Sequence, residues 1–272
     1  MFKVSKGAKM IILTNDDGIH SPALKTTLNA LSGKKILTVV PSVDVSGCSM
    51  CITIDRPIDV RKEVIDGHEV FACGGKTADC VLLAKTIAKE SISGLISGIN
   101  TGPNLGIDVL YSGTIAGARK GTLLGIPSVA ISIEKNYKKK EKMYFESAGL
   151  ILGLIKNLII TNPPPKRHFI NVNVPNQPIK KIPKAVITSL GRRGYVDRMK
   201  KINHQDGRMS FICEDEEVNE DFTPQTDSWA ISQKFISLTL LKDMINDSMS
   251  NWDLGPWVQA INTFLEGRNE KI

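Results

Sequence analysis

Apolar residues along this chain gather into short unbroken runs separated by mixed stretches. The runs are "MIILTN" at 10–15, "KILTVVP" at 35–41, "HEVFACG" at 68–74, "GLISGIN" at 94–100, "SVAISI" at 128–133 and "HFINVNVP" at 168–175. They are rich in Val and Ile and continuous rather than alternating, as expected of strands covered on both faces. Between several of them lie stretches that predict helices, over Pro22 to Leu31, Asp79 to Ser91 and Thr114 to Leu124. Strand followed by helix followed by strand predicts an α/β fold built on a doubly wound, mostly parallel sheet.

The pattern changes after the proline run "NPPPK" at 162–166 and the strand ending at Pro175. Residues 191–227 are polar, with strand-like fragments and turn signals, and predict a hairpin excursion from the main body. The run "KFISLTLL" at 234–241 predicts a return to a sheet, and Trp257, Ile261 and Leu265 are spaced for an amphipathic helix over about Pro256 to Glu266. The expected division is a catalytic core over 1–190 and, over 191–272, an excursion, a return strand and a C-terminal helix. No internal repeat or low-complexity segment is visible.

Composition narrows the function. With 272 residues, 42% hydrophobic and 23% charged, the chain has ample length for a sizeable core. No apolar run approaches the roughly 20 residues needed to span a bilayer, and the opening "MFKVSKGAKM" lacks the features of a signal peptide, so no membrane association and a cytoplasmic location are expected. Five cysteines argue for a reducing compartment. Cys48 and Cys51 form a C-x-x-C, but neither the strand-to-helix context of a redox pair nor the second ligand pair of a zinc site accompanies it. The net charge of +7 is spread out, and its densest block, "KNYKKKEK" at 135–142, reads as a solvated face. No stable nucleic-acid complex is expected; the charge favours a phosphorylated small molecule by long-range steering.

Polar residues cluster where strands end, which is where ligands bind in doubly wound sheets. In "IILTNDDG" at 11–18, Asp16 and Asp17 follow a greasy strand directly. Adjacent carboxylates repel and resist desolvation. A helix cap, an acid/base pair and a metal site are the alternatives; two aspartates in succession, framed by Asn15 and Gly18, favour metal. With oxygen donors and no cysteine or histidine cluster, Mg²⁺ or Mn²⁺ fits better than zinc. His20, the one histidine near the pair, could serve as an outer or acid/base group, or simply stand at a helix entry. The second signal is "SGINTGPNLGIDVLYSGTIAGA" at 97–118. Asn100 and Asn104 offer amides, and Ser112, Gly113 and Thr114 precede a helix whose free N–H groups make a phosphate cradle; the alternative is that Ser112 or Thr114 only caps that helix. Neither G-x-G-x-x-G after the first strand nor G-x-x-x-x-G-K-[ST] occurs, against a dinucleotide oxidoreductase and a P-loop NTPase.

"ILTNDDGIHSPAL", "VPSVDVSGCSMCIT", "TADCVLLA" and "SGINTGPNLGIDVLYSGTIAGA" each resemble a motif of the survival protein SurE family, over most of 10–133, and the resemblance resumes at "TDSWAISQKFISLT" (226–239). It implies a Rossmann-like core with a protruding β-hairpin and an exchanged C-terminal segment that build homodimers or homotetramers. It also implies a metal-dependent 5'/3'-nucleotidase acting on nucleoside monophosphates, in some members also on short polyphosphate. The implied ligands of one divalent cation per subunit are Asp16, Asp17, Ser46 and Asn100, with Asp16 and Asp17 also catalytic. The implied phosphate-side residues are Asn104, Ser112, Gly113 and Thr114.

This chain departs from the family pattern at Lys76 in "GKTADC", where the family usually reads G-T-P-A-D-C, at Lys120, where a glutamate is common, and around Ser42, Asp44 and Val45, where an aspartate and an arginine are common. None of these removes an implied ligand. Direct attack of water and an aspartyl-phosphate both stay open, with water favoured because both aspartates serve as ligands. A nucleotide or phosphate sensor with little turnover is the alternative function. No base-recognition motif can be read, and Trp229, Trp252 and Trp257 are expected in the core or an interface.

Overall fold

The computed structural model describes residues 10–136, 140–195, 198–204, 208–214, 217–244 and 253–269. Trp252 and the centre of the lysine-rich block, 137–139, lie outside the described residues. In chain order the strands are β1 (Met10–Thr14), β2 (Lys35–Pro41), β3 (Val60–Ile65), β4 (His68–Cys73), β5 (Ile92–Thr101), β6 (Ser128–Ile133), β7 (His168–Val174), β8 (Ala185–Thr188), β9 (Arg193–Tyr195), β10 (Arg198–Asn203), β11 (Met209–Glu214), β12 (Glu217–Glu220) and β13 (Ile236–Lys242). The helices are α1 (Leu24–Ala30), α2 (Thr77–Ile87), α3 (Gly113–Leu123), α4 (Phe145–Thr161), α5 (Asp227–Ser232) and α6 (Gly255–Asn269).

Nine strands form one sheet in the order β3-β4-β2-β1-β5-β6-β7-β13-β8. The six strands read from the unbroken apolar runs all form, and they run parallel from β4 through β7. Two antiparallel pairings flank them: β3 on β4 at one edge and β13 on β7 towards the other. From β1 the chain builds β2 and β4 on one side, then crosses back to lay β5 on the other. The switch point of the sheet therefore falls between the carboxyl ends of β1 and β5.

Both faces of the sheet are covered, which explains the unbroken hydrophobicity of its strands. Within β1 every residue is buried; Ile11 and Leu13 join the cluster with α1 and α4, while Ile12 points the other way, into the cluster with Val81 and Ala84 of α2. The sequence reading did not single out α4, the longest helix. Its segment "FESAGLILGLIKNLIIT" is apolar almost all round, because it lies between the sheet and its neighbours α1 and α6. Helix α2 starts before Asp79: Lys76 precedes the helix, and Asp79 in its first turn accepts the Lys76 N–H at 2.8 Å.

The excursion consists of a two-stranded ribbon, β10 with β11, and a second pair, β9 with β12. Beyond it the chain re-enters the main sheet as β13, between β7 and β8. Helix α6 then packs its predicted stripe inward, with Trp257, Ile261 and Leu265 buried. The Trp257 indole N–H donates to the Asn162 carbonyl at 2.8 Å, and Asn262 accepts the Ala185 N–H at 2.7 Å. Trp229 is half-buried, edge-on to Phe235 at 5.6 Å between ring centroids. Replacing the fully buried Trp257 with alanine is expected to lower folding stability by about 3–5 kcal/mol, through lost burial and the orphaned carbonyl. Urea unfolding of the two proteins measures it; an unchanged midpoint would show that α6 is not part of the cooperative core.

Candidate functional site at the switch point

The turn after β1 is closed by its own side chain. Asn15 donates through Nδ2 to the Gly18 carbonyl at 3.0 Å and accepts the Gly18 N–H at 3.2 Å. Gly18 has φ +79°, and a Cβ there would stand 2.6 Å from the Val43 carbonyl carbon and oxygen, so a larger residue would push away the loop after β2. That loop lies directly against the aspartates: the Val45 N–H donates to the Asp16 carbonyl at 2.9 Å. One residue on, the Ser46 hydroxyl and N–H both donate to Asp44 Oδ1, at 2.6 and 2.8 Å.

The start of α3 comes down on Asp16 from the other side. A Cβ on Gly113 would lie 2.7 Å from the Asp16 Cβ, so only glycine permits this approach. The Thr114 hydroxyl donates to Asp16 Oδ1 in a short hydrogen bond. Ser112 accepts the Ile115 N–H at 3.1 Å and thereby caps α3, which realises the capping alternative while leaving its hydroxyl proton available. At the end of β5, the Thr101 N–H donates to Asp17 Oδ2 at 3.2 Å, as does the Ser21 hydroxyl. Its neighbour Asn100 donates through Nδ2 to the Gly102 carbonyl at 2.7 Å, which turns its Oδ1 away from that bond, and no described donor meets this oxygen. Asp16 is thus met directly by Gly113 and Thr114, while the segments carrying Ser46 and Asn100 reach the aspartates through the adjacent Val45 and Thr101 N–H groups. His20 is exposed and bonds neither aspartate.

Asn104 is placed differently. It is buried, its Nδ2 donates to the Ser132 hydroxyl at 2.8 Å, and its main chain is gripped by two asparagines of β7. Asn173 accepts the Asn104 N–H at 2.8 Å and donates to its carbonyl at 3.1 Å, and Asn171 donates to the same carbonyl at 2.9 Å. Further along, Asp227 accepts the Gly106 N–H at 2.9 Å and the Gly191 N–H at 2.8 Å, while Asp108 receives Arg193 at 2.7 Å and the Tyr195 hydroxyl at 2.5 Å. These clamps on the segment between Asn100 and Ser112 are absent from the sequence reading. Their one legible trace is the pair of asparagines interrupting the apolar run "INVNV", at positions that share a face.

Burial dominates the electrostatics. Asp16 is 3% exposed, and desolvation pushes its carboxyl up to about 6, with Asp17 adding repulsion and the Thr114 hydrogen bond opposing both. Asp17 is also raised, again mainly by burial; the bonds from Thr101 and Ser21 oppose this and Asp44 reinforces it. Among the described residues no Lys, Arg or His pairs with either carboxylate. A desolvated acidic pair without a counter-cation fits a bound dication, which would relieve both penalties at once. The described residues contain no cluster of three or more His, Cys, Asp or Glu able to hold a metal, so a cation here would draw its remaining ligands from neutral oxygens. The hydroxyl of Ser46 and the carboxamide oxygen of Asn100 are of the right kind, and an all-oxygen set suits Mg²⁺ or Mn²⁺.

Of the two departing lysines, Lys76 borders the site, since the next residue, Thr77, sends its hydroxyl to the Asn15 carbonyl at 3.4 Å. Lys120 lies in the last turn of α3, seven residues and roughly 10 Å along the axis from Gly113. A cleft of about 370 Å³ bordered by Lys35, Ile36, His68 and Glu69 opens at the amino ends of β2 and β4, opposite the acidic pair, and holds no predicted site residue.

Fold and site together define a Rossmann-like α/β protein whose switch-point loops carry an uncompensated acidic pair beneath a helix N-terminus. The family model described as "Survival protein SurE" matches residues 11–197, and the chain belongs to this family. It is 35% identical over 262 residues to the 5'-nucleotidase SurE of Carboxydothermus hydrogenoformans, spanning 94% of this chain and 98% of that one. It is 31% identical over 236 residues to the 5'/3'-nucleotidase SurE of Photorhabdus laumondii, spanning 85% and 89%. The crystal structure of the SurE protein from Aquifex aeolicus superposes with a TM-score of 0.73 at 30% identity, covering 94% of this chain and 99% of the other.

The raised carboxyl of Asp16 makes a prediction about the metal-free protein. Its folded value, about 6, lies above the ordinary carboxyl value of 3.8, so the native state binds the proton more tightly than the unfolded chain. Its contribution to stability is therefore full below about pH 4 and lost as pH rises to about 6. In EDTA at neutral pH, Asp16→Asn is expected to be more stable than wild type, by on the order of 2 kcal/mol. Melting temperatures of the two proteins across pH 4–8 check this: their difference should grow with pH, whereas a constant difference would contradict the assigned cost of burying the charge.

Proposed function

We propose that the protein is a divalent-metal-dependent phosphomonoesterase that hydrolyses nucleoside 5'-monophosphates, and also 3'-monophosphates and short polyphosphate, to release inorganic phosphate. The uncompensated pair Asp16 and Asp17, set directly under the start of α3, carries this reading, and the names of the SurE relatives support it. Asp16, Asp17, Ser46 and Asn100 would hold one Mg²⁺ or Mn²⁺ per subunit, which when bound supplies Lewis-acid neutralisation of the phosphoryl charge and acidifies a water.

The chain's own groups do the remaining work. The first intrahelical bond of α3 runs from the Ala116 N–H to the Ser112 carbonyl at 3.1 Å, so the Gly113 N–H precedes it at the open helix start, while the Thr114 N–H, like its hydroxyl, is directed at the Asp16 carboxylate. The open helix start receives the phosphoryl oxygens, with the Ser112 hydroxyl donating beside the Gly113 N–H and the helix dipole favouring the anion. Asn104, with its amide on Ser132 and its main chain in the β7 clamp, acts by fixing the phosphate-side segment. Thr114 keeps Asp16 in one orientation. Asp17, the less buried carboxylate, orients the attacking water, and this role together with the hydrogen bonds holding both aspartates favours water over an aspartyl-phosphate. The proton for the departing ribose oxygen comes from solvent.

No described helix is long and apolar enough to cross a membrane. The protein would act in the cytoplasm as a homodimer or homotetramer assembled through the 191–272 region.

Phosphate release from a panel of nucleoside 5'- and 3'-monophosphates, in EDTA and after restoring Mg²⁺ or Mn²⁺, tests the activity. Release should require metal, fall at least 100-fold in Asp16→Asn or Asp17→Asn, and fall less in Ser46→Ala, which removes a neutral ligand only. Nucleotide binding without release under any metal would replace the enzyme with a sensor. A further outcome is expected of Gly113→Ala: the added methyl displaces Asp16 or the start of α3, so activity drops at least ten-fold while the circular dichroism spectrum stays that of the wild type.

A further inference from the structure

A nucleoside monophosphate presents two recognisable parts, an anionic phosphoryl group and an aromatic heterocycle with flat apolar faces. The residues described so far engage only the first. The residues implied as metal ligands or phosphate-side groups all belong to three strand-end segments, 15–21, 42–53 and 100–114. Apart from the His20 imidazole, those segments contain a single aromatic ring, that of Tyr111.

Tyr111 immediately precedes Ser112, at the edge of the phosphate cradle. Its side chain is 54% exposed, and the preceding Leu110 is 49% exposed. The main chain beneath the ring is held at every polar group. The Tyr111 N–H donates to the Asp108 carbonyl at 3.0 Å, and its carbonyl accepts the Ser49 N–H at 2.8 Å. The Leu110 carbonyl accepts the Ser49 hydroxyl at 2.6 Å. Tyr111 therefore sits where the loop carrying Ser46 is stapled to the approach of α3, and Asp108 is itself held by Arg193 and Tyr195. A large apolar surface left exposed on so firmly anchored a backbone is suited to receiving a flat ligand, because little main-chain freedom remains to be lost on binding.

Resting on the nucleotidase reading above, we propose that Tyr111 is a specificity-determining residue whose ring stacks on the base of the bound nucleotide. A nucleotide held by its phosphate at the start of α3 extends away from the helix, and Tyr111, the residue before Ser112, carries the first ring beside it. Stacking tolerates any base but strengthens with the area of the heterocycle, so purine nucleotides are favoured over pyrimidine nucleotides.

The test is steady-state phosphate release by wild type, Tyr111→Phe and Tyr111→Ala with adenosine 5'-monophosphate, uridine 5'-monophosphate and ribose 5-phosphate, which has no base. The informative quantity is kcat/KM for each nucleotide divided by that for ribose 5-phosphate. This ratio should fall about ten-fold or more in Tyr111→Ala, carried by KM and more steeply for the adenine than the uracil nucleotide, and be retained in Tyr111→Phe. A ratio unchanged in Tyr111→Ala, in an enzyme that turns over nucleotides, overturns the stacking role and leaves the nucleotidase standing. Absence of release from every substrate by the wild type overturns both, and equal loss on all three substrates shows that Tyr111 only supports the cradle, which also overturns the stacking role.

Discussion

Burying two adjacent carboxylates without a cation is the constraint around which this site is organised. Each charge is disfavoured by desolvation and by its neighbour, yet the surrounding structure offers only partial relief through the hydroxyls of Thr114 and Ser21 and the N–H of Thr101. Those bonds orient the oxygens more than they neutralise them. An anionic concavity of this kind suits a dication, which would neutralise it and make it compatible with a phosphate at the adjacent helix start. The same arrangement would be a liability in a protein with no use for metal, since it lowers the stability of the empty form at neutral pH.

The remaining structure can be understood as the means of holding that pair in place. Gly18 and Gly113 let the loop after β2 and the first turn of α3 approach to distances that any Cβ would forbid. The phosphate-side segment is fixed by side chains contributed much later in the chain: Asn171 and Asn173 from β7, Asp227 from the start of α5, and Arg193 and Tyr195 from the base of the excursion. Asp227 is fully buried, and its carboxylate joins Gly106 to Gly191, so the root of the excursion and the approach to the cradle share one anchor. Geometry in the C-terminal third is in this way continuous with geometry at the site.

The division of labour between local and distant information follows from these contacts. The six parallel strands were legible because a strand covered on both faces must be apolar at consecutive positions. α6 was legible because a helix with one buried face shows its period. α4 was harder, since a helix covered on most sides loses that period, and β3 was not recognised because an exposed antiparallel edge strand such as "VRKEVI" carries little apolar signal. Asp16 and Asp17 stood out since paired carboxylates directly after a buried strand are costly without a purpose.

By itself, then, the order of residues determined the α/β class, the strand ends at which polar groups gather, the acidic pair and the Ser-Gly-Thr helix start, because each of these depends on near neighbours and on the cost of burying charge. Only the tertiary structure decided that the loop carrying Ser46 is tied to Asp16 through Val45, that Ser112 caps α3 while Thr114 holds a carboxylate, and that Asn104 is gripped by β7 instead of standing free. These outcomes depend on which segments, dozens of residues apart, the sheet order brings within hydrogen-bonding distance, and no local pattern encodes that.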